Sequence, residues 1–230
     1  MTRRLQDPAM RATLPQTSAR LAFAAMSRRA AITGAALATM ALSTAGLSAC
    51  SGGAGKPAEG DIGMGAPEGA KVTVVEYASV TCSHCAEWQE STWAPFKAKY
   101  VDTNKVRYVF REFPTSPVPV ATAGFLIARC AGEDKYFDVI HKIMASQDQI
   151  FGGVPPRDVL LPIALEAGLT EAQFQTCITD PEAIAGMEAR IRAGLDAGVN
   201  GTPTFLVNGE KVIDTSLSGL SEKIDAALAQ

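Results

Sequence analysis

Two cysteines three positions apart, Cys82 and Cys85, are the feature that most constrains this chain. The preceding residues 71–80 form a nearly continuous run of β-branched and aromatic side chains, which predicts a strand covered on both faces. In the residues that follow, aromatic side chains recur at helical spacings of three to five, which predicts a helix kinked at Pro95. Cys82 would therefore stand at the N-terminus of a helix that directly follows a buried strand.

The cysteine pair is compatible with a metal site, a structural disulfide or a redox centre. Structural zinc needs four ligands, but the sequence contains no second CxxC pair, and His141 is the only histidine besides His84. A disulfide between Cys82 and Cys85 closes a very small loop and so stabilises the fold little. We therefore interpret the pair as a redox centre without a metal ion.

The predicted position of Cys82 favours its thiolate form, because the unpaired N–H groups and the dipole of a helix N-terminus stabilise negative charge. Such a position lowers the pKa of a thiol from about 8.5 into the range of about 3.5 to 7.5. A protonated His84 would add positive charge nearby. Cys85 lies one turn into the predicted helix, where burial fits it for a resolving role.

Glu76 is the one charged residue in the apolar run from Val72 to Tyr77 inside the predicted strand. A carboxylate in a buried strand is costly unless it is protonated or has a partner. Two alternatives follow from the residues alone. Glu76 is either buried as part of a site, or it lies at the strand end and reaches water.

The N-terminal region has the layout of an export signal. Arg28 and Arg29 precede an uncharged run over residues 30–47. Residues 47–50, Leu-Ser-Ala-Cys, resemble the lipobox of bacterial lipoproteins. We predict a lipoprotein-type signal peptide over residues 1–49 and a lipid on Cys50. An ordinary cleaved signal is the alternative. Both a general secretory and a twin-arginine route remain open, as does a start at Met1 or at Met26.

The region after the predicted signal is acidic and globular in composition. Residues 50–69 are rich in Gly, Ala and Pro, which predicts a flexible tether. From Cys50 onward the chain carries 15 Lys and Arg against 23 Asp and Glu, a net charge of −8. Nucleic-acid binding requires a basic face, so this balance argues against such a partner.

Four stretches together resemble a known superfamily. They are VVEYASVTCSHC at 74–85, VRYVFREFP at 106–114, GTPTFLVNG at 201–209 and LSGLSEKIDAALAQ at 217–230. In this combination the chain resembles the thioredoxin superfamily, and within it the DsbA-like thiol:disulfide oxidoreductases of bacterial envelopes. The combination is more specific than a CxxC pair alone.

The resemblance implies an α/β fold, namely a thioredoxin-like fold with an all-helical domain inserted between core strands. The thioredoxin-like domain is expected over residues 70–116 and 197–230. The inserted helical domain is expected over residues 117–196, where several predicted helices end at glycines.

The resemblance also implies a catalytic set and a substrate-binding loop. The catalytic set is Cys82, Cys85, His84 and Glu76, with the acid moving protons to or from Cys85. Thr202 and Pro203 are expected to bind an extended substrate strand, with a cis peptide bond before Pro203. From the residues alone, Pro203 could equally be a trans proline at a strand start.

Cys130 and Cys177 both lie in the predicted helical insertion. With Cys50 assigned to the signal, four cysteines remain, and an even number in an exported protein suggests disulfides. We therefore predict a structural disulfide between Cys130 and Cys177. Two buried free cysteines are the alternative.

The predicted function is the oxidation of dithiols in exported proteins through a mixed disulfide at Cys82. The expected partners are folding exported proteins with cysteines and a DsbB-like membrane protein that restores the disulfide. We expect a monomer, held by its lipid anchor on the periplasmic side of the membrane, with no cofactor. Ser83 and Thr202 differ from the strongest oxidases, so a reductase or isomerase remains an alternative, as does a non-catalytic peptide-binding lipoprotein.

Overall fold

The computed structural model describes Gly55 and residues 57–230 of the chain. The predicted signal peptide over residues 1–49 and the predicted lipidation site at Cys50 lie outside the described residues and stay predictions. Within the described ranges, no helix is both long enough and apolar enough to cross a membrane.

The described residues form one five-stranded mixed sheet with the strand order β1-β3-β2-β4-β5. The central strands β2 and β3 are parallel, and every other neighbouring pair is antiparallel. The strand bounds are β1 Ile62–Gly65, β2 Thr73–Ala78, β3 Arg107–Glu112, β4 Thr204–Val207 and β5 Glu210–Val212.

Helices surround this sheet and form the long connection between β3 and β4. Their bounds are α1 Ser83–Ser91, α2 Trp93–Phe96, α3 Val118–Cys130, α4 Glu133–Ala145, α5 Gln147–Phe151, α6 Pro156–Glu166, α7 Glu171–Thr179, α8 Pro181–Asp196 and α9 Leu217–Ala229. A π-helical turn, Lys97–Val101, continues α2.

The central strand β2 is buried on both faces, as the apolar run predicts. Its alternate residues Val74 and Ala78 point into the larger core, which α1 and the inserted helices share. Val75 and Tyr77 point to the opposite face, where they pack in a smaller apolar cluster. Glu76 has the same parity as Val74, so its carboxyl lies on the side of the larger core.

The helix after the cysteines is broken rather than merely kinked. A proline at position 95 has no N–H to donate to the carbonyl of Ser91 four residues earlier. The first helix accordingly ends at Ser91, and the second begins at Trp93. The predicted irregularity at Pro95 is therefore present, but the break falls at Thr92.

The helical insertion comprises α3 to α7 and contains a disulfide. Cys130 at the end of α3 and Cys177 on α7 are bonded, with their Cα atoms 6.0 Å apart. The bridge joins two helices through cysteines that are 47 residues apart in sequence.

The last helix of the predicted insertion packs on the sheet instead. The Nε atom of Arg190 on α8 donates to the carboxylate of Glu112 on β3 at 3.2 Å. Gly194 of α8 is buried beside the ring of Tyr77 on β2. Helix α8, which lies inside the predicted boundary at residue 196, therefore contacts the sheet directly.

The predicted tether over residues 50–69 is wrong where it meets the sheet. Ile62–Gly65 form edge strand β1, with Ile62 paired to Phe110. Gly65 has φ +82, and a Cβ there would lie 2.6 Å from the carbonyl oxygen of Val106. The glycines that suggest a flexible tether here allow a strand to approach β3 closely.

Two glycines of α8 give a matched test of this packing. A Cβ at Gly194 would lie 2.9 Å from Cε1 of Tyr77, whereas a Cβ at Gly186 meets only the end of Arg190 at 3.4 Å. We expect Gly186→Ala to stabilise the protein by about 0.5–1 kcal/mol through helix propensity. We expect Gly194→Ala to destabilise it by about 1 kcal/mol through overpacking. Denaturant unfolding measures both, and equal stabilisation by the two changes would contradict the packing described here.

Candidate active site

Cys82 is the N-cap residue of α1. Its backbone is extended, with φ −92 and ψ 118, and its sulfur accepts a hydrogen bond from the N–H of Cys85 at 3.3 Å. A cap sulfur in this position receives the unpaired donors and the positive end of the helix dipole. The placement that the sequence predicts for Cys82 is the one the structure has.

The thiols of Cys82 and Cys85 differ in pKa because their environments differ. A hydrogen bond from the Cys85 thiol is the largest of several contacts that together lower the pKa of Cys82 to about 6, against partial burial. Burial, followed by the neighbouring Cys82, raises the pKa of Cys85 far above its ordinary value. Cys82 is therefore the thiolate of the pair, and Cys85 retains its proton.

The side chain of His84 is exposed to solvent. Its Nδ1 atom lies 3.1 Å from a carboxylate oxygen of Glu87, and this contact raises the pKa of His84. The backbone N–H of His84 helps to lower the pKa of Cys82. In this conformation the residue contributes its peptide group at the sulfur, while its ring is directed to Glu87.

Glu76 lies in the middle of β2 with only 2% of its surface exposed. The alternative in which it sits at a strand end and reaches water is therefore wrong. Burial raises the pKa of Glu76 to about 8, although a hydrogen bond from Tyr108 opposes the increase. The carboxyl also acts electrostatically on Cys85 and raises the pKa of that thiol.

The loop before β4 also borders the sulfur of Cys82. The peptide bond between Thr202 and Pro203 is cis, and the thiol of Cys82 donates to the carbonyl oxygen of Thr202 at 3.5 Å. The alternative of a trans proline at a strand start does not apply. The structure thus brings together the six predicted catalytic and substrate-binding positions, whose roles are proposed below.

A buried amide from the helical insertion contacts the active-site turn, and sequence reasoning missed it. Nε2 of Gln147, at the start of α5, donates to the carbonyl oxygens of Val80 at 2.8 Å and of Cys82 at 3.0 Å. Gln147 is 65 residues from Cys82 in sequence. No local pattern signals such a contact.

A cluster of hydroxyl groups holds the same turn from the side of β3. The Thr81 hydroxyl donates to the carbonyl oxygen of Thr115 at 2.9 Å, and the N–H of Thr115 donates to Oγ of Ser79 at 3.1 Å. The loop that carries Thr115 leads into a second cis peptide bond, Ser116–Pro117. Neither contact was predicted.

Two further side chains near the cysteines have packing roles. Trp88 packs against Phe205, with ring centroids 4.6 Å apart, and its Nε1 donates to the carbonyl of Thr215 at 2.8 Å. His141 packs edge-on against Trp93, and burial lowers its pKa to about 4. Among the described residues, no three His, Cys, Asp or Glu side chains are grouped so that they could hold a metal ion.

These contacts define what the site can do chemically. It presents a nucleophilic sulfur at the surface end of a helix, a second thiol that remains protonated, and a buried carboxyl that can exchange a proton near neutral pH. A backbone carbonyl beside a cis proline borders the sulfur. This combination suits exchange between thiols and disulfides.

Comparison with known proteins identifies the family. The sequence matches the family model described as Thioredoxin over residues 58–226, well over half of the chain, and the chain belongs to this family. A relative from Rickettsia bellii, named a protein-disulfide oxidoreductase, is 32% identical over 174 residues. The match covers 75% of this chain and 66% of that relative, so the chain spans less than two thirds of its length.

Solved structures show the same architecture. The crystal structure of α-DsbA1 from Wolbachia pipientis superposes with a TM-score of 0.67 at 24% identity, over 76% of this chain and 94% of that one. A thioredoxin-like oxidoreductase from Silicibacter pomeroyi superposes with a TM-score of 0.58 at 27% identity, over 74% and 93% of the two chains. The predicted DsbA-like thioredoxin fold with inserted helices is confirmed.

The asymmetry of the thiols predicts a titration. In the reduced protein, the ultraviolet absorbance of the thiolate should rise with a midpoint near pH 6, because the pKa of Cys82 is about 6. Cys85→Ala should move the midpoint upward, since it removes the Cys85 thiol, whose hydrogen bond gives the largest stabilisation. Cys82→Ser should remove the transition.

The same pKa determines how the stability of the reduced protein depends on pH. The folded-state pKa of Cys82 lies below its ordinary 9.0, so the thiolate stabilises the reduced fold fully above pH 9. This contribution is lost as the pH falls through 6. A midpoint near 9 in the absorbance titration would contradict both expectations.

The two hydrogen bonds donated by Gln147 predict that removing its amide destabilises the protein. Gln147→Leu removes both side-chain donors from buried carbonyls, and we expect it to destabilise the protein by about 2 kcal/mol. Gln149→Leu, at an exposed position of the same helix, is the matched control and should change stability by less than about 0.5 kcal/mol. Denaturant unfolding compares the two, and similar values would show that the amide contacts contribute little.

Proposed function

We propose that the protein is a thiol:disulfide oxidoreductase of the bacterial envelope, which oxidises cysteine pairs of exported proteins through a Cys82–Cys85 disulfide. One observation carries the proposal. The Cys82 sulfur caps α1 and lies 3.5 Å from the carbonyl of Thr202, which precedes cis-Pro203. The family membership and the name of the relative support the same activity.

The reaction begins with the oxidised protein. A thiolate of the substrate attacks Sγ of Cys82, the Cys82–Cys85 bond breaks, and the electron pair passes to the sulfur of Cys85. A mixed disulfide then joins the substrate to Cys82. The second thiolate of the substrate attacks the substrate sulfur in this bond and releases Cys82 as a thiolate. The lowered pKa of Cys82 makes that thiolate a good leaving group.

Glu76 exchanges a proton with the other sulfur, that of Cys85, in this scheme. When the pair is reduced, Cys85 takes up a proton, because its raised pKa makes a buried thiolate unfavourable. The protonated carboxyl of Glu76 supplies this proton, and the carboxylate takes it back when the disulfide re-forms. A pKa of about 8 allows Glu76 to act in both directions near neutral pH.

The cis-proline loop supplies the substrate site. Thr202 and Pro203 border the sulfur, and an extended substrate segment can pair with the backbone of Thr202 as an added strand. The segment then presents its cysteine to Cys82. His84 assists through its peptide N–H and through the positive charge that its raised pKa favours.

We place this reaction on the periplasmic side of a bacterial membrane. Cys50 would carry the lipid, and the part of the predicted tether that precedes β1 would connect it to the folded domain. A DsbB-like membrane protein would restore the Cys82–Cys85 disulfide. The protein would act as a monomer, without an organic or metal cofactor.

The reduction potential of the Cys82–Cys85 pair tests the direction of the reaction. Equilibration with glutathione, followed by Trp88 fluorescence, should give a value near about −120 mV, as for an oxidase with a stabilised thiolate. A value near about −270 mV would indicate a reductase. That outcome would favour the alternative role in reducing or rearranging disulfides.

Variants of the cysteines test the activity itself. Cys82→Ser should reduce the oxidation of a model dithiol peptide to the uncatalysed rate, because it removes the attacked sulfur. Cys85→Ser should accumulate the mixed disulfide, which mass spectrometry detects. Wild-type protein that fails to accelerate the reaction would support a non-catalytic peptide-binding protein instead.

A further inference from the structure

Tyr108 on β3 directs its hydroxyl at the buried acid of the site. In the parallel pairing of the strands, Tyr108 lies opposite Val74 and Glu76 lies opposite Phe110, so Tyr108 and Glu76 are diagonal neighbours on one face. The phenol O–H donates to Oε2 of Glu76. Tyr108 is fully buried and Glu76 is 2% exposed, so the contact is shielded from water.

Packing holds the phenol ring in this position. Its centroid lies 4.8 Å from that of Trp93, 5.9 Å from that of Phe96 and 5.8 Å from that of Phe137. These rings come from α2 and from α4 of the helical insertion. The helix after the cysteines and the helical insertion, on the same face of the sheet, therefore both fix the direction in which the hydroxyl points.

The ionisable groups around Glu76 are few. They are Cys82, which caps α1, Cys85 within α1, and Tyr108 on β3. From α4, Tyr136 acts on Tyr108 rather than on Glu76 itself. The facing residue of β4 is Phe205, which carries no charge. In the part of the chain that the structure describes, Tyr108 is the one side chain that donates a hydrogen bond to the Glu76 carboxyl.

We propose that Tyr108 is a positioning residue for proton transfer between Glu76 and Cys85: its hydroxyl holds the carboxyl in place and stabilises the carboxylate form. The inference rests on the proposed function, because Glu76 has a proton to move only if the cysteine pair cycles. It identifies a part of the site that no sequence motif marks.

The chemistry requires such a donor from the moment Glu76 gives up its proton until reoxidation returns it. When the Cys82–Cys85 bond is broken by a substrate thiolate, the electron pair goes to Cys85 and the proton of Glu76 neutralises that sulfur. The carboxylate left behind is buried among aromatic rings, where an unpaired charge is strongly unfavourable. The hydrogen bond from Tyr108 is the interaction that stabilises this charge until reoxidation returns the proton.

Negative charge on Glu76 also keeps the phenol of Tyr108 protonated, which is the form that can donate a hydrogen bond. Burial, and after it the Glu76 carboxylate, raise the pKa of Tyr108 well above its ordinary value. The phenol therefore remains protonated across the pH range in which Glu76 titrates. Proton exchange occurs at Glu76, while Tyr108 orients it and does not itself become charged.

Tyr108→Phe tests the inference, because it removes the hydroxyl and keeps the packed ring. The measurement is the pH dependence of reoxidation of the reduced protein by oxidised glutathione, followed by Trp88 fluorescence. Wild type should show an inflection near pH 8 that belongs to Glu76. In Tyr108→Phe we expect the inflection to rise by about one pH unit, the size of one lost hydrogen bond to the carboxylate.

Tyr100→Phe is the matched control. Tyr100 is also a fully buried tyrosine, and its hydroxyl donates to a carboxylate oxygen of Asp225 at 2.9 Å, in contact with α9 rather than with the cysteines. This variant loses a phenol–carboxylate bond of the same kind, so it should leave the inflection unchanged. An equal shift in both variants would assign the effect to general loss of stability and overturn the proposal.

Glu76→Gln provides the double-mutant test. It should remove the inflection, and adding Tyr108→Phe to it should cause no further change in the pH profile. A profile of Tyr108→Phe identical to that of wild type would show that the tyrosine only packs. A shift that persists in the Glu76→Gln background would show that it acts on another group.

A direct titration separates this inference from the proposed function. Carboxyl carbon NMR of labelled Glu76 reports its pKa without any turnover, and Tyr108→Phe should raise it by about one unit. Wild-type protein that shows this NMR shift but no catalysed exchange would contradict the proposed function alone. Catalysed exchange without the NMR shift would overturn the role of Tyr108 alone.

Discussion

The burial of one carboxyl group is the constraint on which the site depends. Glu76 sits in the central strand, on the face that the larger core covers, where its charged form lacks water. An uncompensated charge there would cost several kcal/mol. The fold avoids this cost by raising the pKa of Glu76 and by directing the hydroxyl of Tyr108 at it. The acid is thereby kept near the point at which it can bind or release a proton.

The same constraint explains why the two cysteines differ although they are three residues apart. Cys82 lies before the first turn of α1, where peptide N–H groups face its sulfur, and Cys85 lies within that turn, on the buried side with Glu76. The helix end stabilises one thiolate, and the core with its acid destabilises the other. In the proposed reaction, the direction of attack therefore follows from a single helical turn, and Glu76 exchanges a proton only with Cys85.

Local patterns could predict the strand and the CxxC turn, because each is encoded by neighbouring residues, whereas the cis peptide bond before Pro203 is expected only from the family resemblance. They could not predict Ile62–Gly65 as a strand, since its glycines resemble a tether and only the approach of β3 explains them. They could not predict Gln147 or Tyr108 either. These side chains reach the site across 65 and 32 residues of sequence, and such contacts depend on how helices and strands dock.

The helical insertion is consequently part of the active site rather than an addition to it. Its amide from Gln147 satisfies carbonyls of the active-site turn, and its Phe137 packs against the ring of Tyr108 that orients the acid. A thioredoxin-like domain without these helices would leave the Val80 carbonyl without the amide donor. It would also leave the ring of Tyr108 without one of the aromatic rings that pack against it. The cap geometry of Cys82 and the proton affinity of Glu76 therefore both depend on the docking of the insertion, which couples the acidity of the two groups to one packing interface.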